Sequence, residues 1–313
     1  MTIQIGISAC VLGEKVRYDG GHKNSPFCSA VLSSFVRYLP ICPEQAIGMG
    51  IPRPAIRLLK TADGDIRLVN SKDSQIDFTE KMHQFTDAKL PALAQLSGYI
   101  VCAKSPSCGM ERVRLVDEQG ALLGKVATGL FTQRLMQKYP WLPVEEDGRL
   151  LDADLKENFI TRVYALHAWQ QMLATGFSIG KLVEFHSQFK FLIMAHHPTA
   201  YRELGRLVAQ AKLFALDDLA QRYLLEFMRA LKQLATRKQH ANVLMHLQGF
   251  FKKMLSPAAK QELLSLIHQY RLGHAPLMAP LTLLKHHLSL HPHQYVAAQR
   301  YLLPYPPELG LRA

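Results

Sequence analysis

The sequence lacks any apolar run of the roughly 18 residues that a membrane-spanning helix needs. It opens on Met1-Thr2-Ile3-Gln4-Ile5-Gly6, without the basic-then-apolar order of a secretory signal. A cytoplasmic protein with no membrane partner is therefore expected. It also lacks the cysteine density of a disulfide scaffold: five cysteines, an odd number, in 313 residues leave metal binding or thiol reactivity as the alternatives. Their spacing matches no local zinc-finger or ferredoxin pattern, and none of the 14 histidines falls in a His-Glu-x-x-His segment. Acidic residues are scarce, with 25 Asp and Glu against 37 Lys and Arg for a net charge of +12. An excess of that size suits a polyanionic partner. Disorder is excluded by an ordinary globular balance of 48% apolar and 20% charged residues.

What the chain does contain is unevenly placed. All five cysteines lie in the first 150 residues, and 12 of the 14 histidines lie after them. The net charge divides as +3 over residues 1–150 and +9 over 151–313. Two modules are expected, a thiol-bearing one over residues 1–147 and a basic one over 148–313, with a hinge near Asp147-Gly148-Arg149.

In the first module, apolar segments end in a cysteine where the chain must turn. Ile3 to Ser8 leads to Cys10, Arg37 to Ile41 leads to Cys42, and Tyr99 to Ala103 leads through Lys104-Ser105-Pro106-Ser107 to Cys108. If these strands are parallel neighbours, three thiols meet at the carboxyl edge of one sheet, where open α/β sheets bind ligands. Between them the sequence reads as helix over Ser25–Val36, hairpins around Asp63-Gly64 and Glu118-Gln119-Gly120, helix from Asp77 to Leu96, and helix from Gly129 to Lys138. This alternation predicts a Rossmann-like α/β layer with a mainly parallel sheet. Three thiolates fall short of the four ligands of structural zinc but suit a site with one open coordination position, such as a 4Fe-4S cluster on three cysteines. The competing reading makes them buried apolar residues. That reading is preferred for Cys28, inside the expected helix, and for Cys102, inside a strand.

Residues 151–313 predict an all-α domain: a helix from Leu155 to Leu173, then helices over Ile179–Ala195, Ala200–Leu213, Leu216–Thr236, His240–Leu255, Ala258–Leu272, Pro280–Leu290 and Tyr295–Leu303. The adjacent pairs His196-His197 and His286-His287 cannot share a helix face and read as surface or RNA-facing side chains. Phe185 to Phe191 and Arg300 to Tyr305 interleave cations with aromatics, a pattern that offers phosphate contacts and stacking platforms or else is simply core.

Ser8-Ala9-Cys10 with Val16-Arg17-Tyr18-Asp19-Gly20 and His22-Lys23, then Cys42-Pro43-Glu44 with Gly50-Ile51-Pro52-Arg53-Pro54, then Ser105-Pro106-Ser107-Cys108-Gly109 resemble the thiouracil desulfidase family. These are iron-sulfur enzymes that remove sulfur from thiolated pyrimidines. The resemblance covers about residues 1–145. From about Glu157 onward the chain resembles the helical YbgA-type domain fused to such a module in tRNA 4-thiouridine desulfidases. The resemblance implies a 4Fe-4S cluster on Cys10, Cys42 and Cys108, Glu44 as catalytic acid/base, and a serine assistant, Ser105 before Ser107. It also implies tRNA as partner and conversion of 4-thiouridine to uridine with release of hydrogen sulfide. No obligate protein partner is called for. Arg17, Asp19, His22, Lys23 and Lys104 are the candidates for gripping the nucleotide, the cations at phosphate and Asp19 at a pyrimidine N–H. The alternatives are a desulfidase of free thiouracil or thiolated nucleotides, and a non-catalytic iron-sulfur RNA sensor.

Overall fold

A computed structural model describes residues 2–312. By packing, the chain divides into a unit ending at Phe159 and a second beginning at Ile160. Among the described residues, no helix is long and apolar enough to cross a membrane.

The first unit holds strands β1 (Gln4–Ser8), β2 (Arg37–Ile41), β3 (Ile56–Lys60), β4 (Ile66–Asn70), β5 (Gly98–Val101), β6 (Val113–Val116), β7 (Leu122–Ala127) and β8 (Val144–Glu146). It also holds the helices α1 (Pro43–Ala46), α2 (Thr79–Leu93) and α3 (Leu130–Lys138). Its main sheet is all parallel in the order β2-β1-β5-β8. The three strands that lead to Cys10, Cys42 and Cys108 are thus neighbours, with β1 central. The chain leaves β1 first to one side and later to the other, so the strand order reverses beside it, and a crevice opens at the carboxyl ends at such a point. The inner strands β1 and β5 are apolar because both faces are covered: Ile5, Ile7, Ile100 and Val101 are fully buried. Gly6 belongs there because a Cβ would stand 2.3 Å from the Tyr99 ring on the neighbouring strand.

The two expected hairpins are present, β3 with β4 and β6 with β7. Beyond expectation they join, β3 pairing in parallel with β6 through Leu58 and Leu115, into one sheet ordered β4-β3-β6-β7. A lone two-stranded hairpin is marginal in water, and four strands share one buried face. The expected helix over Ser25–Val36 is a correction. It forms a π turn at Phe27–Val31 followed by a 3-10 turn at Leu32–Ser34. Ser29 and Ser33 turn their hydroxyls back onto the carbonyls of Ser25 and Ser29, a local bond that competes with regular helix.

Helix α4 (Ala153–Ala174) spans the division between the units, and the second unit continues with α5 (Ile179–His196), α6 (Pro198–Ala209), α7 (Leu216–Lys232), α8 (Arg237–Phe250), α9 (Pro257–Leu272), α10 (Met278–Leu290) and the short α11 (Gln294–Ala297). Side chains start several of them: Ser178, His197 and Ser256 accept from the third residue on, and Thr236 with Gln239 forms a capping box. The aromatic stripe is core. Trp169 stacks on Tyr223 at 5.3 Å, Phe185 on Phe189 at 4.4 Å, and Phe227 closes the cluster. Phe185, Phe189, Phe191, Tyr301 and Tyr305 are all buried, which corrects the expectation of exposed stacking platforms. Two of the paired histidines are corrected as well, while His286 is exposed as expected. His196 is buried with Nδ1 2.6 Å from the Gln233 carbonyl, and His287 is buried too. His197 caps α6, His186 pairs with the Tyr223 hydroxyl, and His240 with the Tyr301 hydroxyl. Imidazole serves here as a half-apolar side chain whose polar atoms close helix ends and tyrosine bonds.

Candidate functional site

A cavity of about 680 Å³ opens in the first unit, within the range of small-molecule sites. Cys10, Cys42 and Cys108 all line it, as do Glu44 and Ser105. Each arrives from the element that the sequence pattern indicates. Cys10 lies in a 3-10 turn directly after β1. Cys42 is the residue before α1, with Pro43 and Glu44 in that helix's first turn. Cys108 lies in the loop after β5.

That loop is held by the start of α3. Leu130 and Phe131 donate backbone N–H to the carbonyls of Pro106 and Ser107, Gly129 donates to Gly109, and Thr132 Oγ1 donates to the Cys108 carbonyl at 2.6 Å. The first N–H groups of a helix have no partner within it, and here they fix the segment that carries Ser107 and Cys108. Gly129 permits the approach, since a Cβ there would lie 2.5–2.7 Å from the backbone of Ser107 and Cys108.

Glu44 is gripped from both sides. Arg53 donates from Nε at 3.0 Å and Nη2 at 2.7 Å to Oε2, while Ser107 Oγ donates to Oε1 at 2.6 Å. Ser105 Oγ lies 2.9 Å from Ser107 Oγ and 3.5 Å from Glu44 Oε1. Glu44, Ser107 and Ser105 therefore form a hydrogen-bonded chain. Ser105 faces the cavity, and the fully buried Ser107 is the closer partner of the carboxylate. Arg53 is a cavity residue that sequence reasoning missed, although it sits in the Ile51-Pro52-Arg53-Pro54 segment. Its guanidinium also bonds the carbonyls of Val16 and Gly50, so it ties the loop after β1 to the loop after α1.

Of the five candidates for gripping a nucleotide, Arg17, Lys23 and Lys104 line the cavity, and Asp19 and His22 do not. Asp19 caps its own turn, accepting from Gly21 N–H at 2.9 Å. That bond, with Arg17 nearby, holds its carboxyl below the usual range. His22 accepts from Asn24 N–H. Lys23 is paired with Asp147 at 2.9 Å. Lys104 (φ 66°) and Arg112 (φ 55°) hold left-handed backbone on the cavity wall, a conformation that non-glycine residues keep only where the surroundings enforce it.

A fourth thiol joins the first three. Cys102 follows the end of β5 rather than lying inside it and lines the same cavity as Cys10. The neighbouring Cys102 thiol, burial, and the proximity of Cys108 and Cys42 all push the Cys10 thiol up. Burial raises Cys42 and Cys108, with the Glu44 charge adding to the effect on Cys108. Crowded, buried thiols of this kind ionise together only when a cationic centre compensates them. Among the described residues no three His, Cys, Asp or Glu side chains are close enough to share one metal ion. A lone zinc draws sulfur to about 2.3 Å, whereas a polynuclear cluster spreads its thiolates around a larger body. Cys10, Cys42 and Cys108 around one cavity fit the latter. Cys28 does not take part: it is fully buried away from the cavity, its thiol pushed up to about 11 by burial.

Residues 5–147 match the model of a family described as 2-thiouracil desulfurase, the stretch that contains every residue of this site. Residues 190–306 match a family described as a protein of unknown function, DUF1722. Over 157 residues the chain is 35% identical to the uncharacterized protein YbgA of Escherichia coli (strain K12), covering 50% of this chain and 93% of the relative. The chain is a thiouracil desulfurase-type module fused to a YbgA-type domain. It belongs to the YbgA family through that relative. A solved structure, the 4Fe-4S-dependent thiouracil desulfidase TudS, aligns at 28% identity over 48% of this chain and 94% of its own, with a TM-score of 0.38. Within the desulfurase-type module, the cysteines of the three ordered motifs line one cavity, and Arg53 and Cys102 line it with them.

Proposed function

We propose that this chain is an iron-sulfur-dependent desulfidase that converts 4-thiouridine in tRNA to uridine with release of hydrogen sulfide. The observation that carries the proposal is the convergence of Cys10, Cys42 and Cys108 on one cavity with the Glu44–Ser107–Ser105 chain, inside the residues that match the desulfurase family. Cys10, Cys42 and Cys108 would hold a 4Fe-4S cluster, and such a cluster on three thiolates supplies an iron open to the soft sulfur of a thiocarbonyl.

The chain's own residues handle water and protons. Water adds at the ring carbon that bears sulfur, the C–S bond breaks, and sulfur leaves as hydrogen sulfide, with no net electron transfer. Glu44 Oε1 takes the proton of that water, and the Ser107 and Ser105 hydroxyls carry a proton toward the cavity for the leaving sulfur. General acid-base help of this kind is worth roughly 10²–10⁴-fold. Arg53 keeps the carboxylate in place throughout. The net charge of +9 over residues 151–313 supports tRNA as partner of the helical half through its phosphates. A base within folded tRNA must be unstacked to reach the cavity.

The test is the 4-thiouridine content of bulk tRNA before and after anaerobic incubation with the cluster-loaded protein, with Glu44→Gln as control. Loss with the unaltered protein alone supports the reading. Intact tRNA beside conversion of free 2-thiouracil would move the substrate to the free base, as the description of the family model favours. Intact cluster with neither conversion would reject the enzyme and leave the RNA sensor.

A further inference from the structure

Four thiols line the cavity, and the proposed chemistry employs three of them. Cys102 is left over. Its backbone is fixed against the strand that leads to Cys10: β1 and β5 pair in parallel at Ile7 and Ile100, and Cys102 N–H donates to Ser8 Oγ at 3.0 Å. Counting on from that pair brings Cys102 opposite Ala9, the residue before Cys10. Each side is pinned further. Lys23 N–H donates to the Cys10 carbonyl at 2.9 Å, and Ala103 N–H donates to Asp147 Oδ1 at 2.7 Å. Neighbouring strands run about 4.8 Å apart, inside the roughly 4.4–6.8 Å between Cα atoms that a disulfide spans. The two thiols are neighbours on one cavity. Cys42 and Cys108 are placed otherwise. Cys42 follows β2, on the other side of β1 from β5, and Cys108 lies further along the loop after β5, which α3 holds.

Thiols that lose their cluster meet one of two fates. Oxidation of one sulfur at a time runs on to sulfinic and sulfonic acids, which thiols do not reverse, whereas a disulfide reopens by exchange. We propose that Cys10 and Cys102 close into a reversible disulfide when the cluster is lost, so that Cys102 guards the ligand Cys10 and the site reloads only after reduction. The oxidant is a low-molecular-weight disulfide. One cavity thiolate attacks it, releases one small thiol and keeps the other half as a mixed disulfide; the second thiolate attacks the protein sulfur of that mixed disulfide and releases the other small thiol. Two S–H bonds and one S–S bond break, one S–S bond and two S–H bonds form, and the two electrons given up by the cysteines reduce the reagent to two thiols. The inference rests on the desulfidase reading for the role of Cys10 as a ligand, and on the β1–β5 pairing for the bond itself.

The anaerobic, cluster-loaded full chain is treated with EDTA and bis(2-hydroxyethyl) disulfide until the cluster absorbance is gone, the remaining thiols are alkylated, and the non-reduced digest is mapped by mass spectrometry. The expected result is a dominant Cys10–Cys102 cross-link, with a loss of two free thiols that dithiothreitol restores. Uptake of iron and sulfide should fail before that reduction and return after it. Cys28→Ser should leave the cross-link in place. Cys102→Ala should abolish it and leave Cys10 as a mixed disulfide with the reagent. The reduced Cys102→Ala variant should still take up iron and sulfide, a sign that it folds and that Cys102 is no ligand. A dominant cross-link from Cys10 to Cys42 or Cys108, or mixed disulfides alone in the unaltered chain, would overturn the proposal. A reduced, unaltered chain that takes up no iron and sulfide would instead sink the desulfidase reading, and the same oxidation of that chain still decides whether Cys10 pairs with Cys102.

Discussion

Replacement of Arg53 by Met should destabilise the first unit by about 3–5 kcal/mol, because it strips a buried carboxylate of its charge partner. The magnitude follows from the surroundings. The Arg53 side chain is 4% exposed and that of Glu44 13%, so the value of about 0–1 kcal/mol for surface pairs does not apply. Four hydrogen bonds go with the guanidinium, two to Glu44 and one each to the carbonyls of Val16 and Gly50. Methionine fills the volume and returns none of them. Glu44→Gln alone should cost only about 1–2 kcal/mol, since the amide oxygen still accepts from Arg53. In the double variant the methionine no longer faces an uncompensated charge, so the combined loss should fall short of the sum by about 1–2 kcal/mol. The assay is hydrogen exchange of the β1 and β5 amides at rising urea in the cluster-free full chain, which reads the first unit alone. Additivity within about 0.5 kcal/mol, or a loss below about 1 kcal/mol for Arg53→Met, would refute the account of Arg53 as the anchor of Glu44. Arg53→Lys extends the test to turnover. One ammonium cannot reach Glu44 Oε2 and both carbonyls together, so kcat should drop about 10²-fold through misplacement of the carboxylate while substrate KM moves little.

Three further outcomes follow from other parts of the molecule. Serine at Cys10, Cys42 or Cys108 should abolish retention of iron and sulfide after reconstitution, and Cys28→Ser should retain both, as elemental analysis checks; retention by any of the first three would break the ligand assignment. Gly129→Ala should lower stability by about 2–4 kcal/mol, because its methyl would meet the Ser107 and Cys108 backbone, with loss of the Ser107–Glu44 bond and of turnover together; an unchanged unfolding midpoint would contradict the close approach. Burial holds His186 down to about 4 and His240 to about 3, below the roughly 6.5 of an unfolded histidine. The unfolded chain therefore binds more protons between these values. The contribution is complete above pH ~6.5 and is lost as pH falls, by up to about 1.4 kcal/mol per pH unit for each group, or about 2–4 kcal/mol in sum at pH 5. Urea midpoints of the α7 amides at pH 7.5 and 5 check this, and equal midpoints would refute it.

What the sequence determined alone was local. Alternation of apolar runs with turns places Cys10, Cys42 and Cys108 at strand ends, because a buried strand must end where polar and small residues begin. Helix starts were legible at Ser178 and Ser256-Pro257, where the cap chemistry was written out, whereas Thr236, expected to end one helix, caps the next. Three spaced motifs sufficed to indicate a desulfidase-type site. Tertiary structure alone decided which side chains complete it. Arg53 reads in sequence as one more cation between prolines, and its role exists only because the loops after β1 and α1 meet. Cys102 reads as a strand residue, and it becomes a fourth cavity thiol because β5 ends at Val101. Phe185, Phe189, Phe191, His196 and His287 carry the composition of an RNA-facing surface, yet they are core, since burial depends on which helix faces meet and not on residue type. Arg57, Arg114 and Lys125 are scattered over residues 57–125 and line one cavity only through the β3–β6 and β6–β7 pairings. Local propensity acts over a few residues, whereas a binding site is a sum over distant contacts, and only the fold brings those contacts together.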